Sequence, residues 1–283
     1  MVIDMHVHPE FWEAVYQDEA FNEKRKEIMG RDKLGNADYG FVIRQMDYAG
    51  IDKLCLLATD TSTQDGCVVL TNEDLKKIVD LAPDRFFGFA SVDPFRKDAV
   101  EVVEKAFTEL GLQGLNLHPS KQKFYPDDEM MDPIYKLCIK YNKPIMFHAG
   151  TSWETNTPAK YAKPLAFEEV AIKYPELRFC LAHMGWPWVQ DTAMMILKYP
   201  NVYADTSMLY SDRPIDFFHQ VFKVDLSPLW LENAFPDKVM FGSNNPRFGS
   251  GDMKEGIETL ELRPRTEAKV LGGNAVKFLG WED

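Results

Sequence analysis

The stretch IDMHVHPE, residues 3–10, opens on a short β pattern with two histidines at its end. Strand residues i and i+2 share a face, so if His6 points one way, His8 does too. Ile3, Met5 and Val7 would then face the opposite side, toward packing helices. Seven further β-rich runs follow, at residues 53–59, 86–93, 114–119, 144–149, 178–184, 201–206 and 238–244. Helical patterns lie between them at 72–82, 97–110, 132–141, 165–174 and 188–199, the first with Thr71 and Asp74 placed as a capping box. Parallel neighbours need a crossover element, so alternating strands and helices imply a parallel sheet. Eight such units make an α/β (β/α)8 TIM barrel, and residues 1–283 read as a single domain of that kind.

Two segments exceed a simple crossover, residues 10–50 after strand one and 207–237 after strand seven. Both leave from strand C-terminal ends, the face on which barrel active sites sit, and are expected to wall or cover the pocket. The second is rich in aromatics: Phe217, Phe218, Phe222, Trp230 and Phe235.

Unusual residues gather at the same strand ends. His6 and His8 end strand one, His118 strand four, His148 strand five, His183 strand six, Asp205 strand seven and Asn244 strand eight. Each histidine alone reads as a satisfied core or surface residue; their common position changes that reading. His6, His8 and His148 would give three imidazole ligands to one divalent ion and leave a position open for water or substrate. His219, in an apolar stretch, reads as structural.

Bulk composition narrows the partners. Hydrophobic residues make up 45% and charged residues 27%, and 32 basic against 44 acidic residues give a net charge of −12. Nucleic acid and anionic membranes would be repelled; the charge itself implies no partner and reads as a solvated acidic exterior. Cys55, Cys138 and Cys180 sit in apolar runs and, with Cys67, form no CxxC pair, as buried reduced thiols do. The N-terminus reads as a strand rather than a secretory signal, no apolar run reaches membrane-span length, and the expected setting is cytoplasmic.

The segments IDMHVHPE, GLQGLNLHPS, IMFHAGTS, LAHMGWPW, NVYADTS and VMFGSNNPRF, in this order, resemble the amidohydrolase-related family. This is the branch of the amidohydrolase superfamily that includes aminocarboxymuconate-semialdehyde decarboxylase. The resemblance implies His6, His8 and His148 as metal ligands, and His183 near the metal-bound water or the substrate. The family closes on an FGSD-P motif whose Asp binds the metal and shuttles the proton. Here the chain reads FGSNNP, with Asn244 in that place. Its amide oxygen can still face a cation, but it carries no charge and cannot act as a base at neutral pH. His183 and Asp205 are the nearest substitutes.

Asn116 stands where many relatives carry a lysine that could become carboxylated and bridge two metals, so one ion is expected, zinc first and manganese second. His118 is expected to line the pocket or meet a substrate carboxylate. Trp153, Trp186 and Trp188 read either as an aromatic wall or as simple packing. Arg247 reads as an anion clamp or as a surface salt bridge. Asp205 could set the tautomer of His183, and Asp4 could orient a neighbour inside the barrel.

The leading expectation is a hydrolase that attacks a small carboxylated or cyclic substrate with metal-activated water. A non-oxidative decarboxylase uses the same ligands, and a copy that binds without turnover is the alternative Asn244 raises. Family members often form homodimers, so a homodimer is expected by analogy.

Overall fold

In the computed structural model, residues 1–30, 35–207, 213–227 and 229–281 are described. Eight parallel strands follow one another in chain order around the sheet. They are β1 (Ile3–Val7), β2 (Lys53–Leu57), β3 (Phe86–Ala90), β4 (Gly114–Leu117), β5 (Ile145–Phe147), β6 (Phe179–Leu181), β7 (Val202–Asp205) and β8 (Val239–Met240). The ring closes where β1 meets the end of β8. Met5 N–H donates to Phe241 O at 2.9 Å, Asn244 N–H to His6 O at 2.9 Å, and His8 N–H to Asn245 O at 2.8 Å. The expected TIM barrel is thus the observed one.

Side chains alternate between two cores. Leu54, Leu56, Ile145, Phe147, Phe179 and Leu181 pack outward with the helices. Cys55, Leu57, Phe87, Phe89, Met146, Cys180, Tyr203 and Met240 fill the barrel interior. The last helix, Asn274–Leu279, closes the bottom with Phe278 and Leu279, and Trp281 lies edge-on to Phe87 with ring centroids 4.9 Å apart. All four cysteines are free and buried, as expected of structural thiols.

Strand β1 departs from simple alternation. Ile3 and Met5 belong to the interior core rather than to the helix-facing one. The β1–β2 register shifts between Asp4, opposite Leu54, and Val7, opposite Leu56. One extra residue in this bulge lets Met5 and His6 both face inward and returns Val7 to the outside, so His8 still reaches the pocket. Asp4 does not point into the barrel, but it orients an inward-facing neighbour through the backbone, its Oδ1 accepting His6 N–H at 3.2 Å. It shares Leu54's outward register, and its carboxylate accepts from Ser243 N–H at 2.9 Å, tying β1 to β8.

The crossover helices Asn72–Leu81, Ala99–Thr108, Asp132–Lys140 and Val189–Lys198 lie within the predicted spans. Thr71 caps the first by accepting Asp74 N–H at 3.0 Å. The fourth predicted helix is shorter, a 3-10 turn over Pro164–Phe167 running into Glu168–Lys173.

The long segment after β1 holds helices Glu19–Met29 and Tyr39–Ala49, and Met29 reaches the pocket. In the segment after β7, residues 208–212 and 228 lie outside the described residues. Phe217, Phe218, Phe222 and Phe235 there are buried in the outer core. The ring of Phe218 lies so close to Gly256 that a Cβ there would meet it at 2.5 Å. Among the described residues, none of 213–237 lines the pocket, so these aromatics serve packing rather than the expected wall. No helix among the described residues is long and apolar enough to cross a membrane.

Candidate metal centre and active site

Strand ends β1, β4, β5, β6 and β8 bring His6, His8, His118, His148, His183 and Asn244 to one pocket at the C-terminal mouth. His219, by contrast, lies exposed at the end of helix Pro214–His219. The pocket walls come from Met29, Lys121, Gln122, Ser152, Trp153, Glu154 and Arg247.

The rings crowd one another. The His6 ring centroid lies 5.1 Å from that of His8 and 4.8 Å from that of His183; His148 and His183 are likewise 4.8 Å apart. His118 stacks on His148 at 3.8 Å with an interplanar angle of 8°. Burial first, then neighbouring imidazoles, holds His148 and His183 well below the ordinary histidine range. Burial and then Lys121 does the same to His118. These rings are therefore neutral at pH 7, with one lone-pair nitrogen each.

Hydrogen bonds decide which nitrogen that is. His6 Nδ1–H donates to Asp205 Oδ2 at 2.9 Å, and His8 Nδ1–H to Glu10 Oε1 at 3.3 Å. His183 Nδ1–H donates to Ser207, whose carbonyl lies at 3.1 Å and hydroxyl at 2.7 Å. With Nδ1 engaged in this way, each of these three rings has Nε2 left to face a ligand. His148 is the reverse: Nε2–H donates to Thr151 O at 3.1 Å, and Nδ1 carries the lone pair. His148 Nδ1 and His183 Nε2 then face each other at 3.1 Å. Two such lone pairs repel unless a cation or a shared proton lies against them. Imidazoles aimed into one buried mouth are the donor set of a borderline divalent ion, so these residues fit a metal.

Among the described residues, His6, His183 and Asp205 form a group able to hold a metal ion, their ligand atoms within 4.8 Å of one another, and the expected ligands His8 and His148 are not part of it. Asp205 is already committed. Its Oδ2 takes His6 Nδ1–H, and its Oδ1 takes the backbone N–H of His183 at 2.8 Å and the Ser207 hydroxyl at 2.5 Å. Burial raises the pKa of Asp205, but His6 and Ser207 outweigh it and hold it at about 2. This corrects one expectation: Asp205 orients the His6 ring and the His183 backbone, and Ser207 holds the His183 ring. The sequence did carry a signal for Ser207, two residues beyond Asp205 on the same face, but no role was read there.

The backbone is unusual at two of these positions. His183, Met184 and Gly185 are all left-handed, with φ of 61°, 50° and 61°. Such strain in non-glycine residues persists only where surrounding bonds over-determine it, and the Asp205 carboxylate on His183 N–H is one such bond. Asn244, 2% exposed, also has a left-handed φ of 63°, which asparagine tolerates better than most residues. Gly150 after β5 has φ of 94°, and a Cβ there would lie 2.2 Å from Trp186 O. Only glycine lets the β5 and β6 loops approach so closely behind the histidines.

Lys121 and Glu154 close one side of the pocket. Lys121, 6% exposed, pairs with Glu154 at 2.9 Å and donates to Ile28 O at 2.7 Å. Burial pushes Glu154 up, but Lys121 and Ser152 outweigh it and bring it to about 2. The sequence reading missed this pair, whose members lie on different loops. His118 Nδ1 accepts Lys121 N–H at 3.2 Å, which leaves its Nε2 as the protonated nitrogen. Trp153 and Arg247 line the pocket together, the guanidinium 6.0 Å from the indole centroid, and Arg247 makes no ion pair among the described residues. Trp186 and Trp188 are absent from the lining. Asn116 donates to Ala58 O at 2.9 Å, a structural use of the position.

The chain is similar to known proteins over most of its length. A 2-amino-3-carboxymuconate-6-semialdehyde decarboxylase of Dictyostelium discoideum is 23% identical over 247 residues, covering 74% of this chain and 65% of that protein. An uncharacterised TIM-barrel protein from Bordetella bronchiseptica superposes with a TM-score of 0.77 at 20% identity, over 99% of this chain and 98% of the other. A 5-carboxyvanillate decarboxylase from Novosphingobium aromaticivorans, solved with manganese and 4-hydroxy-3-methoxy-5-nitrobenzoic acid, gives 0.70 at 19% identity, over 99% and 96%. The amidohydrolase family model matches residues 3–281, nearly the whole chain. The chain therefore belongs to the amidohydrolase family.

Proposed function

We propose that this protein is a metal-dependent, non-oxidative decarboxylase of a small carboxylated substrate. The ion, zinc or manganese, would be held by His6, His8 and His148, with Asn244 beside it. When bound, it would supply positive charge that fixes the substrate's oxygens and withdraws electron density. One observation carries the choice of reaction: among the described residues, the pocket has cations and imidazoles but no carboxylate placed and poised as a base. Asn244 is an amide, and Asp205 and Glu154 are both held at about 2 and engaged by their partners. Asp60 is tied to Arg96 at 3.2 Å.

Hydrolysis, the leading expectation from the sequence, must remove a proton from water. Decarboxylation needs none removed: the C–C electron pair stays on the substrate, carbon dioxide leaves, and one proton is added. In this reading His183 passes that proton from solvent through Nε2, its Nδ1–H being locked on Ser207. His118 Nε2–H and Arg247 hold the substrate's oxygens, and Trp153 covers its face. The decarboxylases among the relatives support the same reading.

Asn244 favours a second reading, a copy that binds metal and ligand without turnover. The test is carbon dioxide release by zinc- or manganese-loaded protein from a panel of aromatic and diene carboxylates, run beside amides, esters and lactones. Carbon dioxide release supports the proposal. Faster hydrolysis of an amide or ester overturns it, and saturable binding without any product supports the non-catalytic reading.

A further inference from the structure

The donors that meet at the barrel mouth are imidazoles and an amide. Imidazoles bring lone pairs without charge, and Asn244 adds none. A divalent cation in so buried a place needs negative charge nearby, because desolvated charge is costly unless compensated. The structure holds that charge one hydrogen bond further out. Asp205 stands behind His6, and Glu10 stands behind His8.

Glu10 is an expensive group to keep there. It is 1% exposed, and its Oε1 takes both His8 Nδ1–H and the Thr59 hydroxyl, at 3.3 and 3.2 Å. The fold devotes a helix to its support. Arg25, on Glu19–Met29, is wholly buried, and its Nη1 donates to the carbonyls of Glu10 and Val15 at 3.2 and 2.8 Å. Its Nε donates to Val69 O at 2.7 Å, so one guanidinium ties the post-β1 turn to the hairpin strand Cys67–Leu70. Burial lowers the pKa of Arg25 and the charge of Glu10 opposes that shift, as for two buried opposite charges that sense each other. Arg25 thus places a buried positive charge near a carboxylate whose near oxygen is aimed at an imidazole.

We infer that Glu10 is a positioning residue of the metal centre. It fixes His8 in the Nδ1–H tautomer with Nε2 as ligand, and with Asp205 it supplies through the imidazoles the negative charge that Asn244 does not. The inference rests on the metal-site reading above and is independent of which reaction follows. Carboxylates behind metal-binding histidines raise ligand basicity and are typically worth about 10–100-fold in affinity.

The test measures Zn2+ affinity by competition with a chromophoric chelator, and reads the His8 tautomer from 15N imidazole spectra of the metal-free protein. In Glu10→Gln the amide oxygen can still accept Nδ1–H, so only charge is lost. Affinity should fall about tenfold or more with the tautomer retained and the fold intact by circular dichroism. Asn244→Asp in that background should recover most of the loss. Glu10→Ala should lose about 100-fold and mix the tautomers. Wild-type affinity in Glu10→Gln overturns the inference, and so does a loss that Asn244→Asp leaves untouched. If the wild-type chain takes up no Zn2+, the metal-site reading falls with it. If the wild type binds and Glu10→Gln binds equally well, only the role of Glu10 falls.

Discussion

Replacing Asp205 with asparagine should cost stability in a way that depends on pH. The carboxylate is fully buried, yet its pKa is held at about 2 against an ordinary 3.8, because contacts with His6 and Ser207 outweigh the desolvation of the charge. A pKa lowered in the folded state adds stability that is present above the unfolded-state value and is lost as pH falls through the folded one. With each pKa unit worth about 1.4 kcal/mol, this carboxylate contributes roughly 2 kcal/mol at pH 7, fading between pH 4 and 2. For 283 residues, at about 2.1 cal/mol/K of unfolding entropy each, that is about 3–4 °C in melting temperature. The assay is thermal unfolding of metal-free wild type and Asp205→Asn at pH 7, 5 and 3. A deficit of that size at pH 7 and 5 that shrinks by pH 3 is expected. Equal stability at pH 7, or a deficit unchanged at pH 3, would refute the assignment of this energy to the ionised carboxylate.

Three further outcomes follow from the site. His6→Ala combined with His8→Ala should abolish binding of about one divalent ion per chain, read by elemental analysis after purification without chelator; full retention would remove both from the ligand set. Asn244→Asp should tighten metal binding, and if an absent base limits turnover it should raise the rate about 10²–10⁴-fold; unchanged affinity would mean that residue 244 does not border the ion. Arg247→Gln should raise KM for a carboxylated substrate about tenfold or more with less effect on kcat, since a guanidinium–carboxylate pair is charge-assisted; an unchanged KM would make Arg247 a surface group.

Much of the barrel was legible because it depends on period and punctuation. Eight β runs with helical patterns between them have few alternatives to a closed parallel ring, and the histidines at the run ends marked its active face. The β1 bulge was not legible. Strict alternation put Ile3 and Met5 outside, and only pairing with β2 forces the extra residue that turns Met5 inward beside His6. At the site, the convergence of His6, His8, His148 and His183 on one mouth could be read from position alone. Ser207, Glu10 and the Lys121–Glu154 pair could not, because hydrogen bonds between separate loops define them. The aromatics of 213–237 misled for a related reason: a Phe-rich run looks the same whether it covers a pocket or fills the seam beside helix Ser250–Glu258.

The floor of the barrel has a kinetic consequence. With Phe278, Leu279 and Trp281 stopping the bottom and Met5, Phe89 and Met146 filling the shaft, the described residues leave no passage the size of a metabolite through the barrel. Whatever enters past Trp153 and Arg247 must back out along the same route. Spent product and fresh substrate therefore compete for one doorway. Product should inhibit in strict competition with substrate, and inhibitors should gain residence time by wedging at the rim rather than by reaching deeper.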